Sequence, residues 1–290
     1  MAQPRIAAFA REANGTMAPE RVITGAATKI ARTVHGIAYD PLRDEVYVTN
    51  ALADAVLVFR GAADGSEAPV RMILGPCTGL VNPHAVSLDL EHREILVASL
   101  SARAIAIFPM EANGNATPTR YIKGPKTRLG HIVGMGVDSP TNTLVVANSE
   151  ELLFFDRLAN GDVAPTGEIK GERTGIRDEP WELEVYKGKI FLAASNHLHL
   201  NLYAQVTLKP EYQKDARIPE DPWLNPDLGF IGVWNVRDRG DVAPRAKIGG
   251  PFSQLAHPTG VALNPRDGEI YVTDGIRNGL FSFLVPDLLR

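Results

Sequence analysis

The chain has 290 residues, 44% of them hydrophobic, with 26 glycines and 21 prolines spread along its length and a formal net charge of −4. No Lys/Arg run exceeds two residues, which excludes the basic footprint of a nucleic-acid binder, and no apolar run approaches the ~18 residues of a membrane helix. The one cysteine, Cys77, excludes an internal disulfide and any CxxC zinc or redox pair, and is expected to be a small buried or turn residue.

The N-terminal Met1-Ala-Gln-Pro4 lacks the charged and apolar regions of a secretory leader. The expectation is a soluble protein, cytoplasmic or, with a leader already removed, periplasmic or secreted.

From the N-terminus, a short apolar run at 6–9 precedes a hairpin with Gly15, Pro19, Ile23 and Gly25. Three strand-like runs follow at 36–40, 46–50 and 56–59, and then the hairpin returns with Gly65, Pro69, Ile73 and Gly75. The same order repeats with runs at 85–89, 95–98 and 105–108 and a hairpin at Gly114, Pro118, Ile122 and Gly124. A third round has runs at 134–138, 144–148 and 152–155 and a hairpin at Gly161, Pro165, Ile169 and Gly171. The fourth has runs at 182–186, 190–193 and 230–234 and a hairpin at Gly240, Pro244, Ile248 and Gly250. The chain closes on runs at 260–264, 270–274 and 280–283.

Short runs of β-branched and aromatic residues bounded by turn residues read as strands. Asn/Asp-Gly makes the tight turn of a hairpin, and the proline suits an outer strand, where a missing N–H costs little. The fold expected is therefore all-β, a single domain over 1–290 built as a β-propeller of five four-stranded blades. With strands named A to D from the axis outward, there are five of A, B and D and six C-like strands. The last blade would take A, B and C from the C-terminus and D from the N-terminus, leaving one C-like strand without a place. Six blades is the alternative, but the sequence supplies no sixth A and B strand. Asn-x-Thr sequons at Asn14 and Asn115 are accounted for by the repeat.

The runs Gly36-Ile-Ala-Tyr-Asp40, Ile270-Tyr-Val-Thr-Asp274 and Val56-Leu-Val-Phe59 resemble the strands of NHL-repeat propellers. The resemblance covers nearly the whole chain, although most such relatives have six or seven blades. It implies the fold; activity has to be argued from a site, because the fold hosts enzymes, receptors and scaffolds.

Histidines mark where that site should be. His35 and His84 immediately precede the first two A strands, and His131 and His257 precede the third and fifth by three positions. Rotation of one blade onto the next would bring these residues together at one end of the axis. Neutral imidazoles there could hold a Zn, Fe or Cu ion with positions left open for substrate. Packing against a neighbouring blade is the alternative for each of them. The fourth opening reads Asp178-Glu-Pro-Trp-Glu182, where Glu182 could orient a ligand histidine or act as a general base, or could be a solvated residue beside a core Trp181. Asn50, Asn148, Asn196 and Asp274 end B strands at that face, as turn residues or as pocket lining.

An insertion at about 196–229 separates the B and C strands of the fourth blade, and loops of this length in a compact domain are usually functional or disordered. Emerging beside the histidines, it could form a lid carrying His197, His199, Tyr203 and Trp223, which with Trp181 would face substrate, or an intersubunit arm. His92, in an A–B turn at the other end, is expected at the surface.

Two principal functions compete. One is a metal-dependent lyase, hydrolase or oxygenase acting on a small organic substrate. In this it is similar to the peptide-amidating lyases, NHL-type propellers that hold zinc with axial histidines. It shares only architecture with the carotenoid oxygenases, which hold iron with four histidines. The other is a non-catalytic module binding a protein, glycan or small ligand. A calcium-dependent lactonase is disfavoured, because a hard cation wants oxygen ligands and imidazole stands at the axial positions.

Overall fold

The computed structural model describes residues 4–32, 34–176, 179–195 and 229–290. The described chain is all-β, with the sheets of a five-bladed β-propeller joined by short 3-10 turns, and one helical turn, Pro286–Leu289, after the last strand. No described helix is long and apolar enough to cross a membrane.

Backbone contacts group the chain into two compact units, Met1–Ile132 with Leu158–Ala164, and Val133–Arg157 with Pro165–Arg290. The first unit holds a two-stranded sheet, β1 (Ile6–Ala8) and β2 (Arg21–Ile23), and two four-stranded sheets. These are β3–β6 (Val34–Asp40, Glu45–Asn50, Ala55–Arg60, Arg71–Leu74) and β7–β10 (Pro83–Asp89, Glu94–Ser99, Ala104–Pro109, Arg120–Lys123), each an antiparallel meander. The C-like strand that the sequence count leaves over is β1. It pairs in register with the D-type β2, Ile6 opposite Ile23 and Ala8 opposite Arg21.

The second unit holds β11–β14 (Ile132–Asp138, Thr143–Asn148, Glu151–Asp156, Gly167–Ile169), apart from Ile132. It also holds β15–β18 (Glu179–Tyr186, Lys189–Ser195, Gly229–Asn235, Ala246–Gly249) and the three-stranded β19–β21 (Pro258–Asn264, Glu269–Asp274, Gly279–Leu284). The middle strands are buried on both faces, hence their near-continuous apolar runs, such as Glu94–Ser99 and Ala104–Pro109. Within each unit, apolar faces of successive sheets pack together. Tyr47, Val58 and Ile73 meet Val86, Val97 and Phe108 in the first unit; Phe154 and Val145 meet Leu183, Leu192 and Trp234 in the second.

The hairpin repeat acts as a latch onto the preceding sheet. Gly114 exchanges two backbone hydrogen bonds with that sheet's D strand, donating to Met72 O and accepting from Leu74 N. Asn113, just before it, accepts from Met72 N, and Asn115, just after it, accepts from Cys77 N. The same set recurs at Asp64-Gly65-Ser66 and Asn160-Gly161-Asp162, and in part at Gly240-Asp241. The closing glycines Gly25, Gly75, Gly124 and Gly171 sit where a latch arrives. At Gly124, with φ of +137°, an added Cβ would lie 2.4 Å from the Asp162 carboxyl carbon. The hairpin 158–164 joins β13 to β14, yet its latch onto β10 places Leu158–Ala164 with the first unit. Cys77 lies exposed in one of the latched turns.

Candidate functional site

His35 and His84 occupy equivalent places in successive sheets. In each, the A strand bulges just after the residue paired with the end of the B strand: Val34 pairs with Asn50 and Ile37 with Val48, and Pro83 pairs with Ser99. The histidine is the residue after Val34 in one sheet and after Pro83 in the other. Gly36 lets the strands close up, since a Cβ there would lie 2.8 Å from Val86 N and 2.9 Å from His84 O.

Three of the predicted histidines meet in the first unit. The rings of His35 and His84 stack with centroids 3.9 Å apart and planes inclined at 24°, and His131 lies 6.1 Å from His84 at 54°. His35 is exposed; His84 is only 8% exposed, and its Nδ1 is buried with no hydrogen-bond partner. Burial, reinforced by repulsion from His35 and His131, pushes the His84 pKa down to about 3, and burial lowers that of His35. Both rings are therefore neutral at pH 7, the form in which imidazole binds transition metals. Two nearly parallel rings do not aim their lone pairs at one point, and among the described residues no three His, Cys, Asp or Glu side chains are placed to share an ion as they stand. A turn of exposed His35 about its side-chain bonds, a fast motion for a surface residue, changes that aim.

His257 lies in the second unit, in a setting of its own. Its Nδ1 is 2.5 Å from Ser195 Oγ, and the Trp181 ring meets it edge-on with centroids 5.4 Å apart. Asp274 holds its backbone, the carboxylate accepting from Ala256 N at 2.8 Å and His257 N at 2.7 Å. The register explains the mixed offsets. Pro180 pairs with Ala194 and Leu183 with Leu192, so Trp181 stands in the fourth sheet where His35 and His84 stand in theirs. Glu182 is half-buried, with Oε2 3.1 Å from where a Cβ on Gly260 would lie. Trp181 is half-buried and packs against the cluster containing Val261 and Leu255.

The B-strand ends prove to be fasteners. Asn50 accepts from Ala31 N and donates to Lys29 O, and Asp274 accepts from four backbone N–H groups, those of Ala256, His257, Ile276 and Arg277. Both hold the connection that leads into the A strand of their own sheet. Asn148 instead donates to Glu151. His92 is exposed, as expected, with Nδ1 2.9 Å from Asp89, which pins it to its turn. His197, His199, Tyr203 and Trp223, with Asn196 and the rest of the proposed lid up to 228, lie outside the described residues; Gly229 begins β17.

One residue was missed. Glu184 takes a place filled by Ala38, Ser87 and Ala262 in other sheets, opposite Phe191 of β16. It is solvent-accessible, yet protein surrounds it closely enough for desolvation to push its carboxyl up to about 7. The signal in the sequence was a charge within an A strand at a position otherwise small.

No family model matches the chain, and no curated protein matches it. Among solved structures, the chain is similar to the computationally designed Ika8 protein, seen in a P63 crystal. The TM-score is 0.46 and the identity 11%, over 87% of this chain and 62% of that one, so the chain spans less than two thirds of that protein.

Proposed function

We propose that this chain is a metal-dependent enzyme of NHL-like type, acting on a small organic substrate at the histidine cluster. The observation that carries the reading is His84 Nδ1, a buried, partnerless nitrogen on a neutral ring, with two further imidazoles beside it. A buried polar atom without a partner is unfavourable by about 1–3 kcal/mol, and a ligand would relieve that. His84, His131 and a turned His35 would be the protein ligands of a Zn, Fe or Cu ion. A bound ion would supply Lewis acidity to a substrate oxygen or lower the pKa of bound water, which leaves lyase, hydrolase and oxygenase chemistry as the candidates. The chain's own part is to keep the imidazoles unprotonated through burial and to leave His35 exposed beside them.

The second unit, taken by itself, has two groups able to exchange a proton: His257, its Nδ1 engaged by Ser195, and the half-buried Glu182.

The parallel stack of His35 on His84 supports a second reading, a non-catalytic binding module in which the rings are packing and contact residues. Elemental analysis of protein purified without an affinity tag separates the two. About one equivalent of transition metal, lost in His84→Ala, is the result expected. Metal at background level in the wild type would leave the binding module.

A further inference from the structure

We infer that Thr49 is a positioning residue for the imidazole pair, holding the backbone of His84 against the strand that carries His35. Thr49, in β4, is fully buried. Its Oγ1 accepts from Gly36 N at 2.8 Å and donates to His84 O at 2.9 Å. One hydroxyl thus ties together the residue after His35 and His84 itself. Gly36 completes the clamp, because with no Cβ it lets His84 O approach to a distance no other residue would permit.

The fold does not call for this hydroxyl. The equivalent B-strand positions, fixed by their partners on the C strands, are Ala98, Ala147 and Ala193, all fully buried, and Thr273. Three of five sheets therefore build the same strand crossing around a methyl group. The first sheet adds a donor and an acceptor at the one crossing where two histidines face each other. A hydrogen bond to a backbone carbonyl and an amide fixes the separation of two strands more tightly than apolar contact, because it is directional. The separation it sets is the one at which the two rings stack.

The consequence for metal binding rests on the function proposed above, whereas the consequence for the rings does not. The test uses Thr49→Ala, the residue found in three sister sheets, with Thr49→Val as a same-shape control and Thr49→Ser to restore the hydroxyl. The first readout, on metal-free protein with labelled histidine, is the nuclear Overhauser contact between the His35 and His84 ring protons. It should vanish in the Ala and Val variants and return in Ser. The second is Co²⁺ affinity, followed by the visible spectrum of the ion. Loss of an outer-sphere partner should weaken it by roughly 10- to 100-fold in the Ala and Val variants, with recovery in Ser. Rings still in contact in both hydroxyl-free variants would overturn the inference, as would unchanged affinity in a wild type that binds Co²⁺. A wild type that takes up no Co²⁺, while Thr49→Ala still loses the ring contact, would sink the metalloenzyme reading and leave Thr49 as the positioning residue.

Discussion

The imidazole of His84 lies face to face with that of His35, centroids 3.9 Å apart, although the two stand 49 positions apart in the chain. Only superposition of one sheet on the next brings such residues together, so the stack is a product of the repeat. The stack also keeps His84 dry, and that has consequences for its acid–base behaviour.

In metal-free protein the chain should lose stability as the pH falls from about 6.5 towards 3. His84 stays neutral when folded, its pKa pushed down to about 3, while the unfolded side chain takes up a proton near 6.5. The unfolded state thus binds more protons across that window, and acid favours it. Thermal midpoints measured at pH 7 and pH 4.5 should fall further apart in the wild type than in His84→Gln. Equal spacing in the two proteins would show that the ring is not held neutral.

Glu184 should act in the opposite sense. Its folded pKa is raised to about 7, so between roughly 4.5 and 7 the folded state binds more protons than the unfolded one, and stability declines as the pH rises through that range. Glu184→Gln should therefore raise the thermal midpoint at pH 8 and leave it nearly unchanged at pH 4. A carboxyl carbon resonance titrating near 4.5 in labelled protein would contradict this.

The latch makes a prediction about two glycines ten residues apart. Gly114 has φ of +62° and open space where a Cβ would go, whereas Gly124 has φ of +137° and the Asp162 carboxyl in the way. Gly114→Ala should cost about 1–2 kcal/mol, the ordinary penalty of a left-handed residue. Gly124→Ala should cost more, because strain and collision add. Urea denaturation of the two variants gives the comparison, and equal losses would mean that the latch yields easily.

Asp274→Ala should destabilise the chain by at least about 2 kcal/mol, since it strips buried partners from backbone N–H groups. Chemical denaturation would measure this. Asp274→Asn should be milder, keeping one acceptor oxygen.

Much of the fold was legible because the hairpin repeat has constant offsets, and each offset has a physical duty: a turn, an outer strand, a latch. The partner of the 6–9 strand was not legible, because which edge a three-residue strand joins depends on pairing that composition does not encode. Among the candidate site residues, His35, His84 and His131 were found together because they sit at or near one register position. The stacking of two of the rings could not be read, since ring orientation depends on Thr49 and Gly36, residues unremarkable in sequence. Glu184 was passed over for a related reason: charge within an alternating strand usually means solvent, and its crowding comes from neighbours distant along the chain.

The latch also redraws the boundaries of the repeat. The hairpins at Gly65, Gly114, Gly161 and Gly240 lend their side chains and backbone pairs to the sheet before them, so a cut between sheets would strip one sheet of its fastener and leave the next holding a spare. The segment that can be copied or deleted without a loose end therefore runs from one hairpin tip to the next. A genetic duplication in that frame adds a whole set of contacts at once, whereas one framed on the sheets would have to repair both of its seams.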